Sequence, residues 1–348
     1  MSEKKSARRA LHLAIGVGLS GLFLYLALAG EDWGAVRAAI DSASWPWVLS
    51  MIPLGAYVLF ARTQRWRLLL ERGSGRKIPL LPVYSASAIG FMANMVLPFR
   101  VGEFARPYMV SRSTGVSLSA TIASVIIERV LDLGALFVFA VYVVLASPTP
   151  TLVKNLTMLI GAIAAAAGLF AWLLSTQRER FQPIVDWFLG WLPLRAADLL
   201  GGFIEEFLRG MAAISNLRTA AVAIAWSLYI WGLVALSFAV GFLALGIDVP
   251  FFRGGATVAT IVALAVAIPS APAFIGQFEW GAKLALVTIL GAPGSVAVGY
   301  ALVIHSVQFV GQVGLGLIFL VREGVSFGDI GRMQEEAQDV VEHEHERD

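Results

Sequence analysis

The feature that most limits what this chain can fold into is a set of six long apolar runs. They are Leu11 to Ala29, Trp45 to Ala61, Val116 to Ala146 with a charged patch inside it, Leu156 to Leu174, Thr219 to Leu245 and Ser295 to Val321. A helix needs about 20 mainly apolar residues to cross the hydrocarbon core of a bilayer. Only helices and closed barrels satisfy every backbone group in lipid, and these runs lack the period-two alternation of barrel strands. The expected fold class is therefore all-α, a polytopic helical membrane bundle of about six full spans. Composition agrees: 58% of the 348 residues are hydrophobic and 14% charged, too few charges to clothe a soluble domain of this length.

The basic residues form short clusters beside the runs, a pattern that suits the inner face of a membrane and does not suit a nucleic-acid partner. Lys4, Lys5, Arg8 and Arg9 precede the first run, whereas Glu31 to Ser44 holds one Arg against three acids. The N-terminus is therefore expected in the cytoplasm. The first run ends in Ala27-Leu28-Ala29 like a secretory signal, but it exceeds the usual length of a signal's apolar core and further spans follow, so it reads as an uncleaved helix. Arg62, Arg65, Arg67, Arg72, Arg76 and Lys77 read as a cytoplasmic loop after the second run, and Gln177 to Arg218 as the next such loop.

An even number of crossings must separate two cytoplasmic loops, yet three apolar segments begin between them, near Leu80, Val116 and Leu156. The first is broken by Pro98-Phe-Arg-Val-Gly-Glu-Phe-Ala-Arg-Pro107, and non-helical backbone at that depth needs protein or a wet cavity around it. A re-entrant hairpin over residues 80–114, opening to the cytoplasm, is expected. Pro269 and Pro272 break a second segment, giving a hairpin over 254–290 that opens outward and leaves the C-terminus cytoplasmic. The breaks share the pattern P-x3-G-[EQ]-F, as Pro98, Gly102, Glu103, Phe104 and as Pro272, Gly276, Gln277, Phe278. Hairpins on opposite faces are what an inverted repeat produces. Residues 1–325 thus read as one transmembrane domain with an interfacial helix over 183–216, and 326–348 as a disordered acidic tail.

Ionisable residues inside a membrane are functional candidates by default. Here Arg100, Glu103, Arg106, Glu128, Arg129 and Asp132 gather around the first break. At about 3 kcal/mol each, six isolated charges would cost on the order of 18 kcal/mol, so they must pair or be wet. Three of each sign allow pairing, and Glu128 and Asp132 share one helix face while Arg129 points elsewhere. One reading is a structural ion-pair network; the other is a polar cavity whose arginines receive an anionic group. In the second, Arg106 is the expected phosphate ligand, and Gly102 would let a helix N-terminus approach the anion.

In the second half, Glu279 and Lys283 stand at i, i+4 and would neutralise each other. His305, Gln308 and Gln312 make a polar stripe that serves interhelical hydrogen bonding or a proton relay. Gln277 and Glu279 are candidates for closing the path from outside. The chain has no cysteine and four histidines, so no metal site and no cofactor are expected.

The stretch Asn94-Met-Val-Leu-Pro-Phe-Arg-Val-Gly-Glu-Phe-Ala-Arg106, followed by Glu128-Arg129-Val-Leu-Asp132, resembles the flippase-like family of the lysylphosphatidylglycerol synthase transmembrane region. Its pattern is close to N-x-x-L-P-x-R-x-G-E-x-x-R and then E-R-x-x-D. A second family motif, P-G-G-x-G-x-x-E, is matched by Pro272-Ala-Phe-Ile-Gly-Gln-Phe-Glu279 with Ala273 and Phe274 in place of the glycines, which implies a stiffer or narrower outer break. The resemblance spans about residues 10–325. It implies a multi-pass protein of a prokaryotic cytoplasmic membrane associated with moving lipids between leaflets, with Asn94, Pro98, Arg100, Gly102, Glu103, Arg106, Glu128, Arg129, Asp132, Pro272, Gly276 and Glu279 at the motif positions. The bifunctional relatives carry a soluble aminoacyl-transferase domain after this region, so aminoacylation is not expected here.

The expected function is accordingly a lipid flippase or transporter for an anionic or phosphate-bearing head group, and not an enzyme. The alternatives are a membrane-embedded enzyme acting on a lipid phosphate and a small-solute transporter. Membrane lipids are the expected partners, with a coupling ion or a cell-envelope biosynthesis protein as further candidates; the sequence does not fix an oligomeric state.

Overall fold

The computed structural model describes residues 16–176, 201–268 and 271–330, apart from 203, 206 and 209, with 183, 187, 191 and 332 singly. All regular structure among them is helical. In order, the helices are α1 (Gly16–Leu28), α2 (Trp33–Asp41), α3 (Trp45–Ser74), α4 (Leu80–Val96), α5 (Gly102–Thr114), α6 (Leu118–Ala146), α7 (Thr151–Thr176), α8 (Leu217–Leu245), α9 (Phe251–Val266), α10 (Gln277–Lys283) and α11 (Gly294–Glu323). Four of these, α6, α7, α8 and α11, are long and apolar enough to cross a membrane, and a fifth span arises if α2 and α3, bent by 78°, count as one. Large apolar side chains such as Leu152, Met158, Leu159 and Phe170 on α7 are exposed, as helices facing lipid require.

Local chemistry sets the helix ends. Asp32 accepts from the Gly34 and Ala35 amides, Ser117 from Ala120, and Asn216 from Arg218 and Thr219, each satisfying donors that a helix start leaves open. Left-handed Gly75, Gly115, Gly246 and Gly324 close α3, α5, α8 and α11. The basic cluster after the second run is not a loop: α3 continues as helix to Ser74, so Arg62, Arg65 and Arg67 lie on it. Charge at the end of an apolar run marks where a span leaves the hydrocarbon, and does not mark where the helix stops.

Two pairs of helices fold back on themselves. In the first, α4 and α5 cross so closely that a Cβ at Gly102 would overlap the Gly90 carbonyl oxygen. In the second, α9 is followed by α10, whose end widens into a π-helical turn over Leu284–Ile289; Gly281 lies against Val262 and Ala265. The two breaks are built alike. Each opens on its proline with a 3-10 turn, Pro98–Arg100 and Pro272–Phe274, and each then starts a new helix, at Gly102 and Gln277. The third residue of each turn has a left-handed backbone, φ 51° at Arg100 and 59° at Phe274, as does Ala273 at 59°. Non-glycine residues take this conformation at a cost of roughly 1–2 kcal/mol, so the breaks are held by their surroundings. Ala273 and Phe274 thus keep the backbone that glycine would adopt freely.

Pro269 and almost all of the expected interfacial helix before residue 201 lie outside the described residues, as does the tail from 333. The tail's expected start differs: Ser326 caps a helical turn through Asp329, and Ile330 is fully buried against α3, α4 and α11 side chains.

Candidate functional site

Three helices, α3, α5 and α6, supply the charges of the cluster, and α4 and α8 add Asn94 and Ser227. Arg65 of α3 is wholly buried; its Nη1 donates to Asp132 Oδ1 at 2.6 Å and to Ser227 Oγ at 2.8 Å, and its Nη2 to Glu128 Oε1 at 3.2 Å. Arg106 of α5 donates to the other oxygen of Glu128 at 2.8 Å, with its guanidinium 4.4 Å from the Trp66 ring and 5.9 Å from Phe91. Glu128 therefore sits between two arginines with no exposed surface. Burying such ions is costly, and removing any partner would strand a charge. Arg106 is thereby fastened, and the space beside Gly102 is filled by the Gly90 backbone and the Asn94 amide oxygen. An anion has no room at either.

The periphery is looser. Arg129 lies 3.6 Å from Asp132 and 3.9 Å from Glu103, Arg62 lies 3.8 Å from Asp132, and Asn94 donates to Glu103 at 3.4 Å. The expected balance of three and three does not hold, because α3 contributes Arg62 and Arg65 while Arg100 turns away to the Val266 carbonyl. Arg62, Arg65, Arg106 and Arg129 face Glu103, Glu128 and Asp132, four cations against three carboxylates, which leaves one positive charge. Arg129 and Arg62 have the longest pairings and the most open side chains, 44% and 21% exposed, so the surplus resides with them.

Arg62 also lines a cavity of about 200 Å³ between α3, α4, α8 and α11. Its walls are mostly apolar, among them Leu59, Phe91 and Phe238, and its other polar groups include Ser237, Gln308 and Gln312. An apolar slot with one guanidinium and a few amide and hydroxyl groups suits an amphiphile. The end of the apolar run places Arg62 and Arg65 in a loop; the signal against this is the pair of acids on α6, whose partners must come from another helix.

The second break carries its own polar set. Glu279 does not pair with Lys283. Lys283 reaches Glu31 at 2.6 Å and the Ala27 carbonyl at 2.8 Å, whereas Glu279 Oε1 lies 2.5 Å from His305 Nδ1 and its Oε2 accepts from the Gly276 amide at 2.7 Å. His305 Nε2 faces the Ala273 carbonyl at 2.8 Å. Gln277 is fully buried; its oxygen lies 3.4 Å from the Ser20 hydroxyl on α1. The two breaks also touch: Arg100 donates to the Val266 carbonyl at 2.7 Å and lies 5.3 Å from the centre of the Phe274 ring. Of the residues singled out from sequence, Asn94, Glu103, Arg106, Glu128, Arg129 and Asp132 are thus brought together, Gly276, Glu279 and His305 form a second group, and Arg100 links the first break to the second.

Residues 13–316 match the family described as Lysylphosphatidylglycerol synthase TM region. Among curated proteins, "Glycosyltransferase AglD" of Haloferax volcanii is 26% identical across 90% of this chain and 52% of its own length. The chain therefore spans about half the length of that relative. No solved structure matches it.

Proposed function

The chain belongs to the lysylphosphatidylglycerol synthase transmembrane-region family, and from that premise we propose that it moves an anionic or phosphate-bearing lipid between the leaflets of a prokaryotic cytoplasmic membrane. The observation that carries this reading is the mostly apolar cavity lined in part by Arg62, beside a cluster with one positive charge in excess. Acyl chains suit its walls, and a phosphate suits a guanidinium that is only loosely paired. On this reading the folded-back pairs α4–α5 and α9–α10 are re-entrant hairpins from opposite faces, the two halves form an inverted repeat, and both termini are cytoplasmic.

A second reading is an enzyme acting on a lipid phosphate, and the Haloferax relative is named a glycosyltransferase. The cluster argues for transport over chemistry, because its acids Glu128 and Asp132 are held by arginines and are not free to move protons.

The test is lipid translocation in proteoliposomes, with an anionic, zwitterionic and polyprenyl-phosphate panel. Arg62→Gln is the informative control, since Arg106→Ala would remove one of the two arginines that hold the buried Glu128 and confuse folding with function. Selective movement that Arg62→Gln loses, with lipid recovered chemically intact, supports transport. A lipid recovered with an altered head group favours the enzyme.

A further inference from the structure

Both ring nitrogens of His305 face acceptors. The Ala273 carbonyl can only accept, so Nε2, 2.8 Å away, carries a hydrogen. Nδ1 and Glu279 Oε1 are 2.5 Å apart, a distance two lone pairs cannot share, so a proton lies between them as well. Whether nitrogen or oxygen holds it, the pair contains one proton more than a carboxylate beside a neutral imidazole.

We propose that Glu279 and His305 hold one exchangeable proton and that this proton is the ion coupled to lipid movement, an inference that rests on the transport reading above. Both side chains are buried, and the other charged or titratable groups on the neighbouring elements are engaged or lie away from the pair. Lys283 is paired with Glu31, Tyr300 on α11 donates to the Phe238 carbonyl, Arg100 from the first break donates to the Val266 carbonyl, and Arg253 on α9 donates to the Ala146 carbonyl. On α1, Tyr25 is exposed; α8 carries Arg218 in its first turn and Tyr229, which bonds Tyr57. On α2, Arg37 and Asp41 pair with each other at the surface; on α3, Arg62 and Arg65 belong to the charged cluster and Arg67 pairs with Glu71; on α4, Tyr84 donates to the Ala56 carbonyl.

Loss of the proton sets the Nδ1 lone pair against the carboxylate oxygen and breaks their contact. The second break is tied to α11 through this pair, which also engages Gly276 and Ala273, residues with φ of 91° and 59°. The His305 ring stacks on Phe278 at 4.3 Å, Phe278 stacks on Phe238 at 5.9 Å, and Phe238 lines the cavity. Gln308, one turn beyond His305, lines it too. Proton release therefore frees the hairpin and disturbs the cavity wall together. Over a cycle one proton is taken up on one side and given up on the other, and no bonds change except N–H or O–H.

Glu279→Gln mimics the protonated pair: its amide donates to Nδ1 while its oxygen still accepts from Gly276. The full-length protein in proteoliposomes is given a fluorescent anionic lipid, and its movement is measured with and without an imposed pH gradient. The gradient is expected to accelerate the wild type and to leave Glu279→Gln unaffected, its ratio of rates falling to one. Equal acceleration of both proteins overturns the coupling. In parallel, infrared and ¹⁵N-histidine spectra of the wild type are expected to show either a protonated Glu279 carboxyl or a His305 imidazolium at neutral pH, assigned by loss of the signal in Glu279→Gln and His305→Gln. An ionised Glu279 beside a neutral His305 overturns the proton site whatever the lipid assay gives. A wild type that moves no lipid under either condition removes the transport reading and the coupling with it, while the spectra still decide the site.

Discussion

Arg100 and Phe274 hold the same place in two separate breaks, two residues after the opening proline, and they meet with the guanidinium 5.3 Å from the ring centre. Equivalent residues of two repeats touch when a twofold axis runs between them, so this contact marks where such an axis would pass. It is also a joint between the two parts that transport would have to move.

Tying that joint should stop the protein. With no native cysteine to interfere, Arg100→Cys with Phe274→Cys can be bridged by a short bifunctional thiosulfonate. Bridged protein is expected to lose lipid movement and regain it on reduction. Full activity in the bridged state would show that the breaks do not separate during transport.

The core and the edge of the charged cluster should respond differently to mutation. Arg65→Met removes the buried partner that Glu128 and Asp132 share, leaving Glu128 with Arg106 alone and Asp132 with its two longer pairings, and is expected to cost about 3–5 kcal/mol, seen as a large fall in thermal stability in detergent. Arg62→Gln, with its single long ion pairing and a contact to the Phe91 ring, is expected to lower stability much less than Arg65→Met while abolishing movement of anionic lipid. Similar losses of stability from both would mean that the cluster is one structural unit with no ligand-facing edge.

Glycine substitutions separate tight packing from backbone strain. Gly102→Ala drives a methyl into the Gly90 carbonyl and is expected to destabilise by about 1–3 kcal/mol or more. Ala273→Gly removes a side chain from a left-handed position and is expected to stabilise by about 1 kcal/mol. Thermal unfolding of the two purified variants checks both signs.

Orientation can be read with single cysteines. Ser113, exposed in the last turn of α5, and Asp248, exposed between α8 and α9, are expected to label from opposite sides of the membrane, Ser113→Cys from the cytoplasm. Labelling of both from one side would contradict hairpins that enter from opposite faces.

The helical membrane fold and both breaks were legible because they rest on local facts: run length, proline position and a repeated five-residue spacing. The partners of the charges were not. Arg62 and Arg65 looked like loop residues because they end an apolar run, yet a helix carries charge onward when acids on another helix wait for it, as Glu128 and Asp132 do. Glu279 and Lys283 satisfied the i, i+4 rule and ignored it, since His305 and Glu31 arrive from elsewhere in the chain with better geometry. Pairing across a bundle is a property of the packed whole, and no spacing within one helix encodes it.

The uneven count at the cluster has a consequence for the resting protein. In oil, an unmatched guanidinium seeks a counterion, so vacancy is the unfavourable condition and occupancy the stable one. On extraction into detergent the protein should therefore bring an acidic lipid along.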